Sequence, residues 1–568
     1  MILQQKKNNK RTQLILAFLL TFIIITISYI VAGIAPFGNM SLMSMDAYGQ
    51  YFPMLSGMKK GMSFWSFSGA LGFNQLAQSA YYTNSPLWLI LYLVPESALI
   101  STIDMIVGLR FALAGLTFCL WLRHNHKTTP LTMVAFSTAY SLSAYTLAFI
   151  NQFMWMDLVI LLPLVAIGLK KLFTHKKPYL YILSLALALY SNFYIAYMVC
   201  FFSVLYFIYL CFRNKISRKK RVNFFFHFFI SSLLSGGLVA VVLLPTYLAL
   251  NKTISSDLTF NGKLKFYHSP LKILAKLLPF SKISLVFEAP NLYCGLVVAI
   301  LCLIYFFKKN HTLRSRVIFI SLGIFTYLSL NFNLLDFIWH GFHFPNQLPA
   351  RQSFIVIFVM ISLAFSVFIQ IDREGKNMAN ILTFILIVGI SANSIYTLSN
   401  QTWKSKVENY TMYDADMEYI TRKYESEDQF YRMEFLTPSY NLGQRYGYNG
   451  IGYYSSTMSA NAYNFFENIG MEIYALRVSS KYVPSNILNA IFGVKYLFKT
   501  EDDLDQSLFL YEKESLDKVT VYENPYVLPL AFSVDPSVLD LDMNSNSDLQ
   551  NEMLRHMIGD KSSSTYSN

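Results

Sequence analysis

Acidic residues are scarce over the first 397 positions of this sequence: nine Asp and Glu stand against 32 Lys and Arg, a balance of +23. Residues 398–568 reverse it, with 24 acids, 14 bases and a balance of −10. The basic residues are scattered over short loops between apolar runs, a pattern that excludes a nucleic-acid partner and fits a membrane protein followed by a water-soluble segment. Cysteine is also short. The five residues (Cys119, Cys200, Cys211, Cys294 and Cys302) all lie in or at the ends of apolar runs. They form neither a disulfide framework nor a metal motif. There is no P-loop, no GxGxxG opening a helix after a strand, no nucleophile elbow and no HExxH. ATP-driven transport and soluble-type nucleotide-sugar chemistry therefore have no support.

Apolar residues fill the space left by these absences. They make up 54% of the chain, and 16% of it is aromatic. Runs of near-spanning length recur, which predicts a polytopic α-helical membrane protein. About eleven spans are expected, over 12–33, 98–122, 131–150, 157–171, 178–191, 194–212, 223–249, 291–307, 316–332, 353–371 and 379–397. The first follows Lys6, Lys7, Lys10 and Arg11 and is too long for a signal-peptide core, so it is read as a retained helix. Basic loops at 123–127, 170–177, 213–221 and 308–316 fall on one side of the membrane, the cytoplasmic side by the charge rule. The N-terminus is then inside, and the outer segments are 34–97, 251–290 and 333–352. The expected domains are a membrane domain, 1–397, and an extracytoplasmic α/β domain, 398–568. In the latter a helix is predicted over 414–425 and strands over 430–435, 494–498 and 519–522. The end, 561–568, reads as disordered.

Few groups are left for chemistry. Asp46 stands in Met45-Asp-Ala-Tyr-Gly-Gln-Tyr-Phe-Pro53, just beyond the first apolar run, among Tyr48, Tyr51 and Phe52. It is either a wet loop acid or helix cap, or a working carboxylate. Asp157 closes the polar-aromatic turn 151–157; it caps the following helix or faces the same outer cavity. Asn192 and Tyr194, in the next outer turn, carry the same two readings. Arg351 is placed to hold a phosphate through paired hydrogen bonds or to anchor its span at the interface. His340 and His343 lack a carboxylate or cysteine beside them that would complete a metal set. Asp104 and Arg110 lie inside the second run, where Arg110 is expected to pair with a carbonyl or with Asp104, or to touch a ligand.

Several stretches together resemble the YfhO family of bacterial membrane proteins, among the GT-C-like integral membrane glycosyltransferases. They are Asp46–Pro53, Trp65–Asn74, Tyr81–Pro86, Asn291–Gly295, His343–Phe354, Val494–Tyr496 and Tyr522–Pro525 followed by Leu528-Pro529. The resemblance implies a GT-C-like fold. It also implies sugar transfer on the outer face of a Gram-positive membrane, from an undecaprenyl-phosphate-linked donor to an anionic cell-envelope polymer such as lipoteichoic or wall teichoic acid. Such enzymes carry an essential acid in the first outer loop, the place that Asp46 occupies. Arg351, or the basic residues Lys263 and Lys265, would stabilise the departing phosphate, and membrane lipid would surround the polyprenyl chain. Tyr48, Gln50, Tyr51, Trp65, Asn74, Tyr81, Tyr82, Asn192 and His343 are the further substrate-binding candidates. The family pattern of paired acids is absent, since Ala47 follows Asp46. A second acid would come from elsewhere, with Asp157 the candidate, and a divalent cation is left open as cofactor. Family members are commonly longer, so a short or truncated form is expected. The competing readings are a lipid-sugar flippase, which would show two related halves, and a non-catalytic envelope assembly protein.

Overall fold

The computed structural model describes the chain except for residues 1, 127–129, 215, 254–259, 261, 287, 308–312, 346, 426–428, 437–439, 475–478, 501–507, 542–548 and 561–568. The expectation for 561–568 therefore lies outside the described residues. The chain divides into two compact units. The first comprises Met1–Leu42, Asn84–Leu243 and Leu258–Ser405. The second comprises Met43–Thr83, Leu244–Asp257 and Lys406–Asn568, so two segments from the first half of the sequence fold with the C-terminal part.

Among the described residues six helices are long and apolar enough to cross a membrane: Arg11–Ala32, Glu96–Asn125, Phe153–His175, Phe193–Arg213, Ser353–Glu374 and Lys376–Asn400. A seventh is possible if Arg218–Leu238 and Ala240–Leu250, bent by 80° at their junction, count as one. This corrects the expectation of eleven. A hydropathy window counts apolar residues and is blind to breaks in the backbone, whereas a span needs about 20 residues of continuous helix. The run at 131–150 is interrupted after Ser141: Ser143 is extended, and the Ala144 N–H donates to the Tyr293 carbonyl at 2.7 Å. Tyr179–Ser191 has only 13 residues because Asn192 is extended and starts the next helix. The apolar helices Leu296–Tyr305 and Val317–Asn331 are also short.

In the first unit the helices pack through small residues. A methyl group at Gly168 would lie 2.5 Å from the Tyr181 backbone nitrogen, so Phe153–His175 and Tyr179–Ser191 touch backbone to backbone. Such close approach maximises dispersion contact where lipid supplies no hydrophobic drive.

The second unit is built on a sheet of four strands: β1 (Arg432–Phe435), β2 (Val494–Lys499), β3 (Tyr511–Ser515) and β4 (Thr520–Glu523). Their order is β3-β4-β2-β1. β1 runs parallel to β2, and β4 is antiparallel to both its neighbours. The helix read over 414–425 is Asp414–Tyr424. β2 is buried on both faces along the apolar run Tyr496-Leu-Phe498, as expected of a central strand. Tyr496 and Phe498 join Met417, Ile420 and Val521 in one core, and Val494 and Leu497 join Tyr453, Phe466 and Leu488 in the other. Within this unit the helix Phe52–Lys60 lies against Leu442–Tyr446. A methyl at Gly57 would sit 2.8 Å from the Gln444 carbonyl oxygen, and Ser56 Oγ donates to the Arg445 carbonyl at 3.1 Å.

Candidate functional site

Asp46 belongs to the second unit. It opens a wide helical turn, Ala47–Tyr51, that runs straight into Phe52–Lys60, with Pro53 in the first turn of that helix, where its missing N–H is no loss. The Asp46 side chain makes no capping hydrogen bond. Its carboxylate instead accepts from the Tyr454 hydroxyl at 2.8 Å. Burial, followed by the charge and hydrogen bond of Asp46, pushes the Tyr454 phenol well above its ordinary range, so Tyr454 remains the donor.

A cavity of about 140 Å³ opens within this unit, lined among others by Tyr48, Gly49, Tyr440, Arg445 and Tyr454. Asn441 holds its walls together. This residue is fully buried and left-handed (φ 60°), a conformation that Asn tolerates better than most residues. Its amide nitrogen donates to the carbonyls of Gly49 and Tyr454, both at 2.8 Å. Its Oδ1 accepts from the Tyr454 N–H at 3.0 Å and from Gln444 Nε2 at 3.1 Å. Both donors and both acceptor sites of the amide are therefore used. Arg445 donates to Asp414 Oδ1 at 2.6 Å and to the Tyr410 carbonyl, with its guanidinium over Phe52 at 4.8 Å. The cavity thus combines tyrosine faces and a fixed cation, and one of those tyrosines, Tyr454, bonds the Asp46 carboxylate.

Other expected residues of this unit have structural contacts. Gln50, Tyr51 and Tyr82 are buried. Tyr51 packs on Tyr82 (ring centroids 5.5 Å), which packs on Tyr81 (4.7 Å). The Tyr82 hydroxyl donates to Ser456 Oγ and accepts from its N–H, both at 3.0 Å. Tyr48 meets Tyr410 edge-on. Trp65 is 54% exposed on a two-stranded ribbon opposite Asn74. Asn74 caps the helix Gln75–Tyr82, accepting from the Ala77 N–H at 2.9 Å.

The first unit holds the remaining candidates. Asp157 lies in the first turn of Met156–His175, but its carboxylate neither caps the helix nor pairs with solvent-facing groups. Its Oδ1 accepts from Arg110 Nε at 3.0 Å, and both side chains are buried. Arg110 Nη2 donates to Ser85 Oγ at 2.9 Å, and the guanidinium lies 4.0 Å from the Trp88 ring centroid. Asp104 instead accepts from the Leu42 N–H at 3.2 Å. The expected alternatives for Arg110, Asp104 or a carbonyl, are thus corrected to Asp157. Asn192 caps Phe193–Arg213 through the Ile195 N–H at 2.9 Å.

Arg351 lies over two aromatic rings, Trp155 at 5.0 Å and Tyr194 at 5.1 Å, with Nε and Nη2 donating to the Leu348 and Gln347 carbonyls. His343 packs against Tyr194 (5.5 Å). Burial, then the neighbouring His340 and Arg351, lowers its pKa to about 4, so it is neutral at pH 7 and hydrogen-bonds without adding charge. His340 contacts Asp336, a carboxylate four residues away that the sequence reading did not join to it. Among the described residues no three of His, Cys, Asp and Glu gather into a group able to hold a metal ion, so no step is assigned to a divalent cation.

Capping and ligand roles are separable by substitution. Asn192→Ser and Asn74→Ser keep an oxygen for the cap and should leave stability and activity near wild type if capping is the whole role. Asn→Ala at either position should cost about 1 kcal/mol of stability. Thermal unfolding together with activity checks this; loss of activity in the Ser variants at unchanged stability would mark a substrate contact.

Sequence reasoning missed Tyr440, Asn441, Arg445 and Tyr454. The available signal was the run Gly447-Tyr-Asn-Gly-Ile-Gly-Tyr-Tyr454, whose glycines and tyrosines suit a tight loop presenting aromatic faces.

The family model described as bacterial membrane protein YfhO matches residues 17–402 and 362–568. No curated protein matches. Among solved structures, a cryo-EM structure of arabinofuranosyltransferase AftD from Mycobacteria is similar at TM-score 0.52 and 11% identity, over 92% of this chain and 40% of that one. A mutant form of the same enzyme gives TM-score 0.52 and 12% identity, over 90% of this chain and 41% of that one. At this identity the likeness is one of fold, and it agrees with the GT-C-like architecture expected. The chain spans about two fifths of the length of these solved structures.

Proposed function

Because the chain belongs to the YfhO family of bacterial membrane proteins, we propose that it is a membrane glycosyltransferase with Asp46 as its general base. The donor is a sugar on undecaprenyl phosphate, and the acceptor is an anionic cell-envelope polymer, lipoteichoic or wall teichoic acid, at the outer face of the membrane. The N-terminus is cytoplasmic. The observation that carries this reading is the Asp46 carboxylate, half-buried beside a tyrosine-lined cavity and bonded to the Tyr454 hydroxyl of that cavity's wall. A polyprenyl-phosphate sugar is already activated, so no nucleotide site is needed. An acceptor hydroxyl oxygen bonds to the anomeric carbon as the bond from that carbon to the phosphate oxygen breaks. The hydroxyl proton passes to Asp46, and undecaprenyl phosphate leaves with the bonding electron pair.

Arg351 is assigned to the donor phosphate, with its plane pre-set by Trp155 and Tyr194. His343, neutral, adds a hydrogen bond there. Trp65 offers an exposed indole face for a sugar ring. Tyr48 belongs to the cavity wall, while Gln50, Tyr51, Tyr81 and Tyr82 support it. Asp157 is taken out of the acid–base role, because its carboxylate is bound to Arg110.

The test is NMR composition of purified teichoic acids from wild type, a deletion strain, and the deletion complemented with Asp46→Asn at matched protein level. A sugar substituent should vanish on deletion and stay below about 1% of wild type with Asp46→Asn, a loss of at least the lower bound of general-base effects. Full restoration by Asp46→Asn sinks the transferase mechanism.

A further inference from the structure

The Asp46 turn and the C-terminal part of the chain are fastened at two adjoining points. At one, the Tyr454 hydroxyl donates to Asp46 Oδ1 at 2.8 Å. At the other, Asn441 bonds the Gly49 carbonyl and both backbone groups of Tyr454. Gly49 is three residues beyond Asp46, within the same helical turn. The amide of Asn441 therefore fixes the spacing between the carboxylate-bearing turn and the phenol-bearing strand, and the phenol fixes the carboxylate rotamer. Tyr454 stands in the short strand Tyr453–Tyr454, and the ring of its neighbour Tyr453 is buried in the core. The donor is thus mounted on a rigid element.

Resting on the reading of Asp46 as the base, we propose that Tyr454, locked by Asn441, is the positioning residue for that base, so that residues 440–454 complete the catalytic pocket. The hydroxyl holds one carboxylate oxygen in place and so fixes the rotamer that the base presents. The low dielectric of a half-buried wall strengthens that hydrogen bond. This does not require Tyr454 to touch substrate, so its loss changes turnover more than binding.

The test uses the full chain in nanodiscs with purified teichoic acid as acceptor. The donor probe is glucosyl- or N-acetylglucosaminyl-phosphoundecaprenol, whichever the wild-type protein consumes. Tyr454→Phe keeps the ring and removes only the hydroxyl. It should lower kcat about 10-fold with KM changed less than about 2-fold, the scale of a lost hydrogen bond to a charged group. In an Asp46→Asn background Tyr454→Phe should lower the residual rate no further, because the two act as one unit. Asn441→Ser, which shortens the latch, should reproduce the kcat loss while thermal unfolding shows a folded protein. A change confined to KM in folded Tyr454→Phe, or a further loss when it is added to Asp46→Asn, overturns the positioning role and leaves Asp46 as base. Wild-type turnover by Asp46→Asn overturns both.

Discussion

Arg110→Met is expected to destabilise the first unit by about 3–5 kcal/mol, the usual consequence of leaving a buried charge without its partner. Arg110 is fully buried, and Asp157 is its only carboxylate contact among the described residues. The remaining atoms of the pair are already short of partners: Arg110 Nη1 and Asp157 Oδ2 have no hydrogen bond among the described residues. Losing Arg110 therefore strands a carboxylate beside Trp88 and Ser85 with little to replace the guanidinium. Asp157→Leu alone should cost a similar amount, for the mirrored reason. The double variant Arg110→Met/Asp157→Leu removes both charges together and should recover most of the loss, since an apolar pair of similar volume often matches a buried ion pair. SDS-titrated unfolding of the detergent-solubilised chain measures the cycle. A single Arg110→Met variant within about 1 kcal/mol of wild type would show that the pair is not coupled. The same proteins resolve the role of Asp157. A folded double variant that still transfers sugar leaves Asp157 structural, and a folded double variant without activity returns it to the chemistry.

That pairing also marks where the sequence stops being legible. Local features could be read directly. The helix over Asp414–Tyr424 and the strands at Arg432, Val494 and Thr520 follow from short apolar patterns bounded by turn residues. The break at Asn192 follows from a polar residue able to cap, and it does cap. Asp46 stood out because acids are rare around it. What could not be read is how distant segments meet. Arg110 and Asp157 are 47 residues apart, and Asp46 and Tyr454 are 408 apart. No periodicity links such positions. Their association depends on burial that only the folded chain creates. The span count failed for a related reason. Ser143 and the bend after Leu238 break helices inside apolar runs, and hydropathy alone assigns those residues to continuous spans.

Glu434 gives the second large effect, and here the expected result is a stability that falls as pH rises. The side chain sits in β1, buried, with Oε2 accepting from the N–H groups of Ile451 (2.6 Å) and Gly452 (3.0 Å). Burial dominates. It pushes the carboxyl up to about 7, against the opposing pull of those N–H groups, of the Phe435 N–H and of the nearby Arg432 charge. The tyrosines Tyr448 and Tyr482 face it as neutral phenols, their own ionisation further opposed by Glu434. In the unfolded chain Glu434 titrates near the ordinary value of 4.5. Between about pH 4.5 and 7 the folded protein therefore binds more protons than the unfolded one, and stability declines across that window. A shift of this size corresponds to about 3 kcal/mol lost by pH 8 relative to pH 4. His343 works in the opposite sense, since its lowered pKa makes stability rise between about pH 4 and 6.5. The wild-type curve alone would blend the two. Glu434→Gln isolates the carboxyl: it cannot ionise, and its amide oxygen can still accept from Ile451 and Gly452. The difference between variant and wild type should grow in the variant's favour from pH 5 to pH 8, read as the unfolding midpoint of the full chain at each pH. A difference that stays flat over this range would mean that Glu434 keeps an ordinary carboxylate's titration. The readout extends to the proposed catalytic pocket, because the loop pinned by Glu434 leads directly into Tyr453 and Tyr454. If the carboxyl loosens that loop when it ionises, Glu434→Gln should also hold kcat steadier than wild type above pH 7, through the placement of Tyr454 against Asp46.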